Sequence, residues 1–200
     1  RQDVGYSILS ESYKPWFQEE KSSIDFHYWN RFNSYLLDQE DIPSHVVSVL
    51  DNVTDDIVDY LGNPNADGNW KRKGMVIGQV QSGKTTNYSA VICKAADAGY
   101  KVIVLLAGIT NHLRRQTQER INHAFIGKNA TRLHEMEPGY IGAAKYCRDK
   151  PKQPINLTTL QNDFILAQAQ GAVGFNILNS TDPTILVCKK NVSTLKNLKK

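Results

Sequence analysis

Residues 74–108 read GMVIGQVQSGKTTNYSAVICKAADAGYKVIVLLAG, and the fold turns on how this stretch is parsed. The runs GMVIG (74–78) and KVIVLLAG (101–108) have strand length and are continuously apolar. Between them, TTNYSAVICKAADAG carries Ala90, Val91, Lys94 and Ala95 at helical spacing, with Gly99 as a stop. Strand, helix, strand with unbroken apolar strands predicts a parallel sheet buried on both faces. TILVCKK (184–190) is a third strand candidate, followed by a helix from Val192 onward.

Gly78, Gly83, Lys84 and Thr85 match the pattern G-x-x-x-x-G-K-[ST] in full. The chemistry needs those types at that spacing. Glycines let the backbone turn so that successive N–H groups converge on phosphate oxygens. Lys84 reaches the β- and γ-phosphates as a point charge, and Thr85 offers its hydroxyl to Mg²⁺, which makes these two the catalytic candidates. A helix opening at Gly83 to Thr85 adds its positive end to the same spot. The predicted cradle is therefore Gly78, Gln79, Val80, Gln81, Ser82, Gly83, Lys84, Thr85 and Thr86. Its context, strand before and helix behind, separates it from a Gly/Ser turn with an incidental lysine.

Downstream, GITNHLRRQTQERINHAF (108–125) places Leu113, Thr117, Ile121, Ala124 and Phe125 on an inward stripe, with Thr110 or Asn111 as cap. Arg114, Arg115, Gln118 and Asn122 then fall toward the outer side. Arginines and amides near a helix start suit sugar-phosphate contacts, which position a nucleic acid without reading its sequence. The competing reading is a solvated helical face.

Upstream, Phe26, Trp29, Phe32 or Asn33, Leu36 and Leu37 recur at helical spacing. Val46, Leu50, Val53, Ile57 and Leu61 form a second stripe, with Ser44 as cap and Gly62 and Pro64 as terminators. Both stripes read as core rather than cofactor contacts. GNPNADGNW (62–70) is a loop by composition. The expected organisation is a helical region over 1–69 and an α/β unit over 70–200.

The totals set bounds. At 200 residues the chain can bury one full core. No stretch approaches the ~20 apolar residues a membrane span requires. The 3 cysteines, Cys93, Cys147 and Cys188, are odd in number and far apart, which predicts a reducing, cytoplasmic setting. His112, His123 and His134 lack the short spacing of a zinc site. The net charge of +4 hides a split: residues 1–70 hold 4 Lys/Arg against 13 Asp/Glu, and residues 71–200 hold 20 against 7. That asymmetry fits a polyanionic partner for the basic half, or an acidic segment packed on a basic one.

The block GQVQSGKT…N…CKAADAGYK…LAG…LR.QTQ.R resembles the Z1 domain family, a branch of the superfamily 2 helicase-like ATPases. The match is close over residues 70–127, and the upstream W..Y..YLL region and downstream PTILVCKKNVSTL also fit the family's layout. The resemblance implies a RecA-like P-loop fold, ATP with Mg²⁺ and a DNA-linked role. It maps Walker A onto Gly78 to Thr85, and the backbone-touching motif Ia onto Ala107 to Thr110 and the helix behind. Members are labelled endonucleases and associated with restriction-like or phage-defence clusters, beside MutL- or MORC-like ATPases or nuclease partners.

The chain departs from that pattern at one point. Such ATPases need an acidic Walker B strand, yet only Asp97, Glu119, Glu135, Glu137, Asp149, Asp163 and Asp182 follow position 70. None ends a strand as Asp-Glu, and TILVCKK ends in lysines. Walker B and the arginine finger are expected beyond the helix near Asn191, leaving this chain a truncated ATPase with negligible turnover. No PD-(D/E)xK pattern marks a nuclease centre. A P-loop kinase or GTPase is disfavoured because KKNVS lacks the guanine-reading aspartate. A non-catalytic, nucleotide-responsive scaffold remains the alternative.

Overall fold

The computed structural model describes residues 14–68, 71–78, 83–132, 135–136, 138–147, 152–165 and 180–199. Gln79, Val80, Gln81 and Ser82 of the predicted cradle lie outside the described residues. Among those described, the chain is a mixed α/β structure with six helices and a small, open, three-stranded parallel sheet. Three helices come first: α1 (Phe17–Glu20), α2 (His27–Asp38) and α3 (Ser44–Tyr60). Then follow α4 (Lys84–Asp97), β1 (Val102–Leu106) and α5 (Asn111–Ile121), the last continuing into a π turn over Asn122–Ile126. Ala130–Arg132 and Glu135–Met136 (β2 and β3) form a separate antiparallel ribbon. Ile155–Asn156 (β4), Thr184–Cys188 (β5) and Val192–Leu198 (α6) complete the order.

The sheet runs β1-β5-β4, with Val102 opposite Thr184 and Ile155 opposite Thr184 on the other side. β5 is the middle strand and is buried along its whole length. Its alternation serves two cores, as period-two geometry requires. Ile185 and Val187 join a cluster with Trp29, Phe32, Leu36, Cys93 and Phe125. Leu186 and Cys188 join Leu157 and Phe164 on the opposite face. One core thus unites the helices before residue 69 with the strands after it.

β1 departs from the expected two-sided burial. Ile103 and Leu105 lean on the main cluster, while Val102, Val104 and Leu106 are exposed. The expected strand at GMVIG is also absent: residues 71–78 form no strand, and Met75 and Ile77 are 83% and 87% exposed. A strand needs a neighbour to satisfy its N–H and C=O groups, and the pairing of β1 among the described residues is to β5 alone. Apolar character gives strand propensity but not a partner.

Two helix starts are capped from a distance. The N-cap positions Trp16 and Phe26 supply no side-chain bond of their own. Instead Asp59 Oδ1 accepts from the backbone N–H of Trp16 and Phe17 at 2.8 and 2.6 Å. The carboxylate of Asp97, at the end of α4, accepts from Tyr28 and Trp29 N–H, both at 2.8 Å. Burial pushes the Asp97 carboxyl up to about 7, against the lowering effect of those two N–H groups.

The predicted stripe on α3 is rotated by one position. Val47, Thr54, Asp55, Val58 and Asp59 are buried, and Val46 is exposed. Pro43, not Ser44, occupies the N-cap. The rotation follows from charge. Lys94 of α4 is 0% exposed, and its ammonium meets Asp51 Oδ1 and Asp55 Oδ1, each at 2.5 Å, and the Asp51 carbonyl at 2.6 Å. Lys21 holds the other oxygen of Asp55, and the Trp29 ring centroid lies 4.5 Å from Lys94 Nζ. The acidic segment does pack on the basic one here.

Candidate functional site

The start of α4 is shaped by Gly83, whose φ of 72° and ψ of 22° place it in the left-handed region that favours glycine. A Cβ built there would meet nothing within 4 Å, so the requirement is conformational rather than spatial. Asn87 N–H donates to the Gly83 carbonyl at 2.9 Å, which begins the helical ladder. The N–H groups of the first turn have no acceptor within the helix and face outward at its positive end. Lys84 Nζ donates to the Gly78 carbonyl at 3.0 Å, so the first glycine of the motif and its lysine are held together.

Thr85 and Thr86 are half-buried and line a cleft of about 780 Å³ between α4, α2 and α5. Phe32, Tyr35 and Leu36 of α2, with Glu40 just beyond it, form one wall. Gln116, Glu119, Arg120, His123 and Ala124 form the other. Arg120 Nη1 donates to Thr85 Oγ1 at 2.7 Å, placing a second cation at the start of α4.

Chemically, the cleft pairs an anion-attracting end with a carboxylate-bearing rim. The donors suit phosphate: a left-handed glycine, a helix start, an ammonium and a guanidinium. Magnesium needs oxygen ligands and retains several waters, so one hydroxyl plus phosphate oxygens is an adequate set. Thr85 fits that role once its bond to Arg120 is released. Among the described residues, no group of three His, Cys, Asp or Glu side chains could hold a metal ion by itself.

The expected nucleic-acid face is divided by the structure. Thr110 caps α5 as predicted, its Oγ1 accepting from Leu113 N–H at 3.3 Å, and it is exposed along with Arg115. Arg114 and Gln118 are turned inward, 1% and 0% exposed, whereas Leu113 of the expected inward stripe is 47% exposed. Arg114 donates to the carbonyls of Thr159 and Leu160 at 2.8 and 2.7 Å. Burial lowers its pKa from the usual arginine range.

Gln118 belongs to a chain of bonds crossing the fold. Val187 N–H of β5 donates to Thr158 Oγ1 at 2.9 Å, and that hydroxyl donates to Gln118 Oε1 at 2.7 Å. Gln118 Nε2 donates to Asn122 Oδ1, and Asn122 Nδ2 to Asn129 Oδ1, both at 2.9 Å. A polar stripe is buried because it brings its own partners, and that displaces the apolar one. The cleft residues Tyr35, Glu40, Arg120 and His123 were not singled out as ligand contacts by sequence. They lie on two helices far apart in the chain, and no local spacing links them to the glycine loop.

No described helix is long and apolar enough to cross a membrane. No family model, curated protein or solved structure matches this chain.

Proposed function

We propose that the chain is a nucleotide-binding unit of the RecA-like P-loop type, taking ATP with Mg²⁺ and serving a DNA-linked, restriction-like or phage-defence ATPase. The observation that carries this reading is the left-handed Gly83 opening α4 directly into a cleft that also holds Lys84, Thr85 and Arg120. In it, first-turn N–H groups and Lys84 would neutralise the phosphates, and Thr85 would offer its hydroxyl to the ion. Arg120 moves from the Thr85 hydroxyl to the phosphate chain. Magnesium supplies charge neutralisation on the phosphate oxygens when bound.

Turnover by this chain is slow in this reading. β5 leads into Lys189 and Lys190, with Lys189 Nζ 3.8 Å from Asp163, rather than into a pair of acids. Binding with little hydrolysis also suits the alternative role, a nucleotide-responsive scaffold that engages MutL- or MORC-like or nuclease partners. DNA contact rests on exposed Thr110 and Arg115 and the basic half of the chain.

Titration calorimetry of the chain with ATP and Mg²⁺ tests the reading. Lys84→Ala is expected to weaken binding about 100-fold, the scale of a charge-assisted contact. The melting temperature should be unchanged, because the side chain is exposed. A wild-type chain that binds no ATP at millimolar concentration refutes the proposal.

A further inference from the structure

The cleft is larger than a phosphate chain needs, and its two ends differ in character. At about 780 Å³ it falls in the range of pockets that enclose small organic ligands. One end is the start of α4 with Lys84 and Arg120, cationic and suited to an anion. The other is walled by Phe32, Tyr35 and Leu36, with the carboxylate of Glu40 held against Tyr35. Coulomb's law draws a polyphosphate to the first end and repels it from the second. The second end suits something flat, uncharged and able to donate a hydrogen bond to that carboxylate.

We propose that this wall of α2 is the base subsite, holding a heteroaromatic ring that carries an exocyclic amino group. The inference rests on the nucleotide reading and assigns the half of the ligand that the glycine loop does not touch. Tyr35 presents the aromatic surface. Its ring lies 20° from parallel to that of Phe32, with centroids 6.3 Å apart, and is braced edgewise by Tyr146 at 6.3 Å. Its hydroxyl donates to Glu40 Oε1 at 2.7 Å, which fixes both groups at the rim. Phe32 and Leu36 are buried in the core behind it, while Tyr35 is only half-buried. Burial and the Glu40 carboxylate push the Tyr35 hydroxyl up to about 12, so it stays a neutral donor near neutral pH.

Calorimetric titration with ATP, inosine triphosphate and inorganic tripolyphosphate, each with Mg²⁺, separates the two halves. ATP is expected to bind about tenfold more tightly than tripolyphosphate, the contribution of one base–aromatic stack. Inosine triphosphate, with a carbonyl in place of the amine, should fall between them. Tyr35→Ala should bring ATP to the affinity of tripolyphosphate and leave tripolyphosphate unmoved. In the wild-type chain, the Tyr35 ring proton resonances should shift with ATP and not with tripolyphosphate, a readout independent of how the variant folds.

Equal affinity for ATP and tripolyphosphate, or Tyr35 resonances unmoved by ATP, overturns the base subsite and leaves the phosphate site standing. Inosine triphosphate binding as tightly as ATP overturns the amino-group preference. Binding of neither ATP nor tripolyphosphate removes the phosphate site and the base subsite with it.

Discussion

Helix α4 carries two lysines ten positions apart, and they live in opposite worlds. Lys94 is sealed inside the fold, its ammonium shared between Asp51, Asp55 and the Trp29 ring. Lys84 stands at the exposed start of the helix, drawn to a backbone carbonyl and open to the cleft. The first joins the acidic N-terminal helices to the α/β unit, and the second lines the cleft. Residue type alone does not distinguish them. What differs is whether the surroundings complete the ammonium's bonds with carboxylates of the chain itself. Arg114 and Arg115 repeat the contrast on the next helix, α5.

The contrast is broken most severely at Lys94. Lys94→Met should cost about 3 kcal/mol in chemical denaturation, because the buried Asp55 loses one of its two cations. A loss below about 1 kcal/mol would mean that packing, not charge, holds α3 on α4. Arg114→Ala should cost about 2 kcal/mol by leaving two carbonyls without their donor.

A titratable group sharpens the contrast further. Asp97 ordinarily titrates near 3.8 and is raised to about 7 in the fold. Between those values the folded chain keeps a proton that the unfolded chain gives up, so stability falls as pH rises. The melting temperature of the wild type should therefore decline from pH 4 to 7 relative to Asp97→Asn. Parallel curves would show that Asp97 does not contribute. The smallest effect belongs to Arg115→Ala. Its stability should stay within about 0.5 kcal/mol of wild type. Its DNA affinity should weaken for every sequence, and the salt dependence should flatten by about one unit of slope. An unchanged salt slope would make α5 a plain solvated face.

These differences also explain how far the sequence could be read. α4, β1 and β5 were legible because helical spacing, unbroken apolar runs and a punctuating Gly99 mark them locally. The helices α3 and α5 were legible as helices but not in their facing. Their apolar stripes predict one inward face, while Asp55, Arg114 and Gln118 are buried because each meets a partner more than thirty positions away. The run at 74–78 has strand composition but no strand neighbour among the described residues, a fact that lies outside the run itself. Within the candidate site, Gly83, Lys84 and Thr85 stand out in the sequence because the pattern they match has fixed spacing. Tyr35, Glu40 and Arg120 were not, because a cleft wall is made by tertiary packing of separate helices.

The capping of α2 by Asp97 bears on the order in which the protein assembles. Tyr28 and Asp97 lie 69 positions apart. A nascent chain therefore completes the sequence of α2 long before the carboxylate that finishes its first turn has been synthesised. Short helices are marginal alone, so α2 becomes secure only when α4 arrives.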